Sequence, residues 1–183
     1  MVSESSSNTV GKGYVQIYTG NGKGKTTAAL GMALRAAGRG LKTYFGQFMK
    51  GQFYGELEAV KKLDGLVVIE QFGRNEFVHV TKPPDPRDVE KARECLQALN
   101  NALKSGQYQI VVADEINTAL WFGLLSLQDV LGLVHAKPDG VELVLTGRYA
   151  PDELIQIADL VTEMKEIRHY YTKDVQARDG IER

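Results

Sequence analysis

The sequence predicts an α/β protein built on a mostly parallel sheet with helices on both faces. Two observations lead there. Short apolar runs alternate with amphipathic helical runs, and a glycine-rich turn joins the first strand to the first helix. Alternation at this rhythm requires crossover connections, which lay helices over both faces of a parallel sheet. Of the 183 residues, 43% are hydrophobic and 25% charged, an ordinary globular composition that excludes wholesale disorder. We expect one domain over residues 14–183, preceded by a flexible tail at 1–13.

Each element has its own signal. Met1 to Gly13 is polar, serine-rich and aperiodic, without the basic start and apolar stretch of a signal peptide. Tyr14–Tyr18 reads as a strand, and the glycine-rich turn after it opens a helix over Lys25–Ala37. Leu41–Met49 is a second strand, Glu56–Leu63 a short helix and Leu66–Gln71 a third strand. Phe72–Pro86 holds Pro83, Pro84 and Pro86 and is expected as loop. Over Asp88–Lys104, Val89, Ala92, Leu96, Leu99 and Leu103 recur at spacings of 3, 4, 3 and 4, an amphipathic helix. Gln109–Ala113, Glu142–Leu145 and Leu160–Met164 supply three more strands, with helices at Leu127–His135 and Asp152–Ile157. No apolar run approaches the ~18 residues that span a bilayer, so no membrane partner is expected.

Charge and cysteine content narrow the function classes. The 22 basic and 23 acidic residues nearly cancel, which argues against a protein that coats nucleic acid. The balance is uneven, however. Between Gly11 and Lys62 nine basic residues face only Glu56 and Glu58, a surplus of seven. Such a half suits a small polyanionic ligand, or else is a solvated lysine-rich face. The single cysteine, Cys95, cannot form an internal disulfide, and a reducing cytoplasm is the simplest setting. It lies beside the apolar stripe of its helix with no basic neighbour to activate it, so we read it as a core residue.

The strongest chemical signal is Gly20-Asn21-Gly22-Lys23-Gly24-Lys25-Thr26-Thr27, between a strand and a helix. Phosphate oxygens need converging donors. Glycines let successive N–H groups turn inward, and the helix N-terminus adds its dipole. Lys25 can reach the terminal phosphates and the Thr26 hydroxyl can bind Mg²⁺. This is a P-loop, with one departure: Thr19 stands where the strict pattern has glycine. A dinucleotide fingerprint fits worse, because Gly24 comes one residue too early.

Two further signals fall at the same sheet edge. Ile110-Val111-Val112-Ala113-Asp114-Glu115 ends an apolar strand in carboxylates, which suit Mg²⁺ or cap the next helix. Thr146-Gly147-Arg148 follows another strand, where arginine can neutralise phosphate charge or lie at the surface. Together these residues indicate ATP or GTP with Mg²⁺. They leave the acceptor open among a small-molecule kinase, an ATPase or switch module, and an alkyltransferase.

At this point the chain resembles the P-loop ATP:corrinoid adenosyltransferases, from about Gly13 to Glu182. The resemblance rests on residues 18–27 and on Gln47-Phe48-Met49-Lys50-Gly51, Val111-Val112-Ala113-Asp114-Glu115, Leu145-Thr146-Gly147-Arg148 and Ala177-Arg178-Asp179-Gly180-Ile181-Glu182. The loop with its non-glycine start is a family trait. The resemblance implies a RecA-like fold, a homodimer, and transfer of the 5′-deoxyadenosyl group of ATP to Co(I) of a reduced corrinoid, with triphosphate released. It further implies an electron donor such as a flavoprotein. We assign charge stabilisation to Lys25, Glu115 and Arg148, and Mg²⁺ to Thr26 and Glu115. Phe72, Phe77 and His79 match the region that faces the corrinoid. Phe77 matches the first aromatic residue there, whereas His79 stands where tryptophan is familiar.

Overall fold

A computed structural model describes residues 9–74 and 83–183. Six strands form one sheet: β1 (Val15–Thr19), β2 (Thr43–Phe48), β3 (Val67–Phe72), β4 (Ile110–Asp114), β5 (Glu142–Thr146) and β6 (Leu160–Glu163). Their spatial order is β3-β2-β4-β5-β1-β6, and every pairing is parallel. All six strands therefore deliver their carboxyl ends to one edge. One strand, β5, separates the strand before the glycine-rich loop from the acidic strand β4.

The helices are α1 (Lys25–Ala37), α2 (Gly55–Ala59), α3 (Pro86–Lys104), α4 (Ile116–Trp121), α5 (Leu127–His135) and α6 (Asp152–Ile157). Short 3₁₀ turns follow at Val60–Leu63 and Tyr170–Lys173. The two sheet faces carry different helices. Val111, Ala113, Leu143 and Leu145 share a core with Ala92, Cys95, Leu99 and Leu103 of α3 and with Val130 and Leu133 of α5. Ile110, Val112, Val144 and Phe45 instead meet Ala29 and Ala36 of α1. Neighbouring residues of β4 thus point to opposite faces, as strand geometry requires. The α1 stripe is nearly all alanine, so the glycine-rich loop and its helix lie close against the sheet.

The expected helices Lys25–Ala37, Leu127–His135 and Asp152–Ile157 form with those bounds. Three helical elements differ. The short helix expected over Glu56–Leu63 divides into α2 and the 3₁₀ turn Val60–Leu63. The helix expected from Asp88 begins at Pro86, because proline lacks only an N–H that the first turn cannot use. Asp85 caps it by accepting from the Arg87 N–H. Helix α4 is absent from the sequence-based expectation, being six residues long and too short to show a period. Cys95 is fully buried among apolar side chains, and that burial pushes its thiol well above the usual thiol range. It is a core residue.

Candidate active site

The loop between β1 and α1 is shaped by its glycines and by β6. Gly20 has φ +91°, and a Cβ there would lie 2.5 Å from the Met164 carbonyl oxygen. The Gly22 N–H donates to that same oxygen at 2.6 Å, which ties the loop to the end of the edge strand. Thr19, the departure from strict glycine, uses its hydroxyl to accept from the Ala150 N–H at 3.2 Å. It thereby joins the first loop residue to the segment after β5. The Lys25 ammonium folds back on the loop, donating to the carbonyls of Gly20 and Gly22 at 2.7 Å each. Burial lowers the Lys25 pKa, with Arg148 adding to the effect and Glu115 and Asp114 opposing it.

The sheet edge organises around Asp114. Its carboxylate is fully buried and accepts from four side chains brought by three segments: α1, β5 and the end of β2. Oδ1 accepts from the Thr26 hydroxyl at 2.9 Å and the Thr146 hydroxyl at 2.7 Å. Oδ2 accepts from the Lys50 ammonium at 2.9 Å and the Gln47 amide at 3.2 Å. Gln71 donates in turn to Gln47 at 3.0 Å, so the network reaches β3. The Lys50 pKa is raised: burial alone would lower it, but the adjacent Asp114 charge and hydrogen bond outweigh that. Thr146, on the intervening strand, also accepts from the Glu115 N–H at 2.9 Å.

Glu115 sits one residue beyond the strand with φ +65°, a sharp exit that leaves its carboxylate outside the Asp114 hydrogen bonds but on the same cavity as Thr26. That carboxylate accepts from the Thr118 hydroxyl at 2.6 Å. The same hydroxyl accepts from the Arg148 N–H at 3.0 Å, linking the two loops.

These groups surround a cavity of about 650 Å³. Gly22, Lys23, Gly24, Lys25, Thr26 and Thr27 line it from the loop, and Glu115 and Arg148 from the sheet edge. The sequence-predicted residues therefore converge, with stated exceptions. Gly20 and Asn21 shape the loop without lining the cavity. Phe72 packs partly buried against the core, apart from the cavity, and Phe77 and His79 lie outside the described residues.

Sequence reasoning gave no role to Lys50, Tyr54 or His169, which also line the cavity, nor to Thr118. The Gln47–Gly51 motif carried the signal for Lys50. His169 carried none, because it reaches the site from a turn far along the chain. Its Nδ1 accepts from the Tyr171 N–H at 3.0 Å.

The residues fit a magnesium ion. The Thr26 hydroxyl, bonded to the Asp114 carboxylate, shares the cavity with the Glu115 carboxylate, so hard oxygen donors converge beside the loop, and Mg²⁺ in nucleotide sites uses only one or two carboxylates.

A parallel sheet carrying this loop, with an acidic strand two places away, defines a P-loop nucleotide-binding protein. Solved structures agree in fold: a KaiC-like protein from Pyrococcus horikoshii superposes with a TM-score of 0.55 at 19% identity, covering 86% of this chain and 75% of that one. The RadB recombinase gives 0.53 at 15% identity, covering 87% and 77%. These show the RecA- and KaiC-like architecture. The family is shown by sequence. Residues 11–183 match the model of the ATP:corrinoid adenosyltransferases BtuR/CobO/CobP, and the chain belongs to that family. A corrinoid adenosyltransferase of Pseudomonas aeruginosa is 35% identical over 172 residues, 93% of this chain and 84% of the relative.

Proposed function

We infer that this protein is an ATP:corrinoid adenosyltransferase, moving the 5′-deoxyadenosyl group of ATP onto the cobalt of a reduced corrinoid in cobalamin biosynthesis or salvage. The observation that carries this reading is a phosphate cradle opening on a cavity large enough for a whole nucleotide, in a chain that matches the family from residue 11 to its last residue. In the step, the electron pair of Co(I) forms the bond to ribose C5′. The C5′–O bond breaks, triphosphate leaves with that bond's electron pair, and cobalt becomes formally Co(III). Co(I) is a strong nucleophile, so no general base is required.

What the protein must do is hold C5′ in line and stabilise charge gathering on the departing triphosphate. The loop N–H groups, Lys25 and Arg148 supply that stabilisation. Lys25 moves from the loop carbonyls to phosphate oxygens when ATP binds. Mg²⁺, held by Thr26 and Glu115 with Asp114 beside them, would neutralise phosphate charge. Asp114 aligns the Thr26 hydroxyl, while Lys50 balances its buried negative charge.

An electron donor such as a flavoprotein supplies the Co(I) state, and the enzyme works in the cytoplasm. Among the described residues no helix is long and apolar enough to cross a membrane. A homodimer is supported by β6, an edge strand with Leu160 and Val161 about 40% exposed beside exposed Ile157.

The experiment is direct. Purified protein, Mg-ATP and chemically reduced corrinoid should yield the spectrum of an alkylated corrinoid together with inorganic triphosphate. Production of ADP and phosphate with no cobalt–carbon bond would replace this reading with an ATPase.

A further inference from the structure

The closing segment Arg178-Asp179-Gly180-Ile181-Glu182-Arg183 has no part in the chemistry above, yet four of its residues line the cavity. After the 3₁₀ turn at Tyr170–Lys173 the chain returns to the phosphate loop. Gly180 turns it with φ +75°, and its N–H donates to the Arg183 carbonyl at 2.6 Å. The Arg183 backbone lies beside Gly55, where a Cβ would stand 3.8 Å from its carbonyl oxygen.

Glu182 fastens this turn in place. Its Oε1 accepts from the Lys23 ammonium at 2.7 Å and from the Tyr170 hydroxyl. Its Oε2 accepts from the Arg178 N–H at 2.9 Å and from the Arg178 guanidinium at 3.2 Å. Lys23 also donates to the Ile181 carbonyl at 3.3 Å. The Arg178 guanidinium lies 5.0 Å from the centre of the Tyr170 ring, completing a cluster of two cations, one carboxylate and one phenol. Arg178, Lys23 and Tyr170, in that order, hold the Glu182 carboxyl well below the usual carboxylate range.

Two features assign the segment to one end of the nucleotide. First, a carboxylate in this wall would repel phosphate, but Lys23 and Arg178 already match its charge. Second, the segment brings an exposed apolar side chain to the cavity while its charged side chains pair among themselves and with Lys23. Ile181 is 57% exposed on the wall, and the cavity also holds Leu30 and Tyr54, the latter next to the Gly55 that meets Arg183. The phosphate-seeking groups Lys25, Thr26 and Arg148 come from the loop and the sheet edge instead.

We propose that residues 178–183 form the nucleoside-binding wall of the ATP site, and that Glu182 is a positioning residue that clasps this wall to the phosphate loop through Lys23. The proposal rests on the ATP reading above. Because Ile181 stays exposed and the segment adds nothing to the buried core, opening the clasp frees the wall without unfolding the sheet.

The test compares two ligands on the intact chain by titration calorimetry: Mg-ATP, and magnesium tripolyphosphate, which has no nucleoside. Glu182→Ala is expected to weaken Mg-ATP about tenfold while leaving tripolyphosphate within about twofold of the parent. Tyr170→Phe, which keeps the ring and loses one hydrogen bond, shifts the same ratio by a smaller factor. Unchanged Mg-ATP affinity in Glu182→Ala overturns the proposal, as does a parallel loss of both ligands. A parent protein that binds neither ligand overturns the ATP reading itself, a failure visible before any variant is made.

Discussion

The Thr118 hydroxyl donates to Glu115 Oε2 at 2.6 Å and accepts from the Arg148 N–H at 3.0 Å. One small side chain thus sets the spacing between two site loops that leave different strands. Gly147, with φ +129°, makes the approach possible, since a Cβ there would lie 2.8 Å from the Thr118 nitrogen. Thr118→Val keeps the volume but removes both bonds and leaves a partly buried N–H unpaired, at a cost of about 1–3 kcal/mol. We expect single-turnover adenosyl transfer to slow by roughly 10- to 100-fold. Thr118→Ser should recover most of that rate. A defect in Thr118→Ser with none in Thr118→Val would show that the methyl group matters and the hydroxyl does not.

Asp114, itself fully buried, gathers four donors, of which Lys50 is the charged one. Asp114→Asn replaces one acceptor oxygen with a donor amide that must face either two hydroxyls or Lys50 and Gln47. Breaking a buried ion pair from one side costs about 3–5 kcal/mol, because the other charge stays behind. Urea denaturation should register that loss together with loss of transfer. Adding Lys50→Met should restore part of the stability and none of the activity, which separates the structural task of the pair from its role beside Thr26.

How much of this was legible in the sequence follows from how local each feature is. Period and punctuation placed α1, α5 and α6, and the loop before α1 announced its chemistry through closely spaced glycines and Lys25-Thr26. Glu115 and Arg148 were legible because each lies within two residues of a strand's carboxyl end, and parallel strands end at one edge. The partition between Asp114 and Glu115 was not. Both are acids at the end of β4, and only the left-handed backbone of Glu115 decides which carboxylate meets Thr26. Thr118 was hidden in a six-residue helix without a period. The Lys23–Glu182 contact spans 159 positions, and no local pattern encodes it.

The Lys25 ammonium should titrate below the ordinary lysine value of 10.5 in the ligand-free protein, because burial disfavours its charged form. The sign of the linkage follows. Between the lowered folded value and 10.5 the unfolded chain binds more protons, so this group's contribution to stability improves as pH rises through that window. Triphosphate acts oppositely, since it favours the charged ammonium, and its affinity should fall as pH rises through the lowered value. A ¹⁵N NMR titration of Lys25 checks both. The midpoint should lie below 10.5 without ligand and move upward with magnesium tripolyphosphate. An unmoved midpoint would place Lys25 away from the phosphates.

Gly46, in the middle of β2, lies directly beneath Leu99 and Cys95 of helix α3. A Cβ there would lie 3.1 Å from Leu99 Cδ2 and 3.3 Å from the Cys95 sulfur, both in fully buried side chains. Gly46→Ala should therefore destabilise by overpacking, by about 1–3 kcal/mol. Leu99→Ala should destabilise through the cavity it leaves, by about 2–5 kcal/mol. The two changes act on the same space with opposite sign, so they should not add. In the double variant the extra methyl at position 46 relaxes into the space vacated at position 99, and its loss should be at least ~0.5 kcal/mol smaller than the sum of the single losses. Urea denaturation of the four proteins measures this directly, and strict additivity would mean that α3 shifts bodily rather than Leu99 alone. Nucleotide affinity serves as the control. Position 46 precedes Gln47 by one residue and points to the opposite face, so Gly46→Ala should bind Mg-ATP as the parent does.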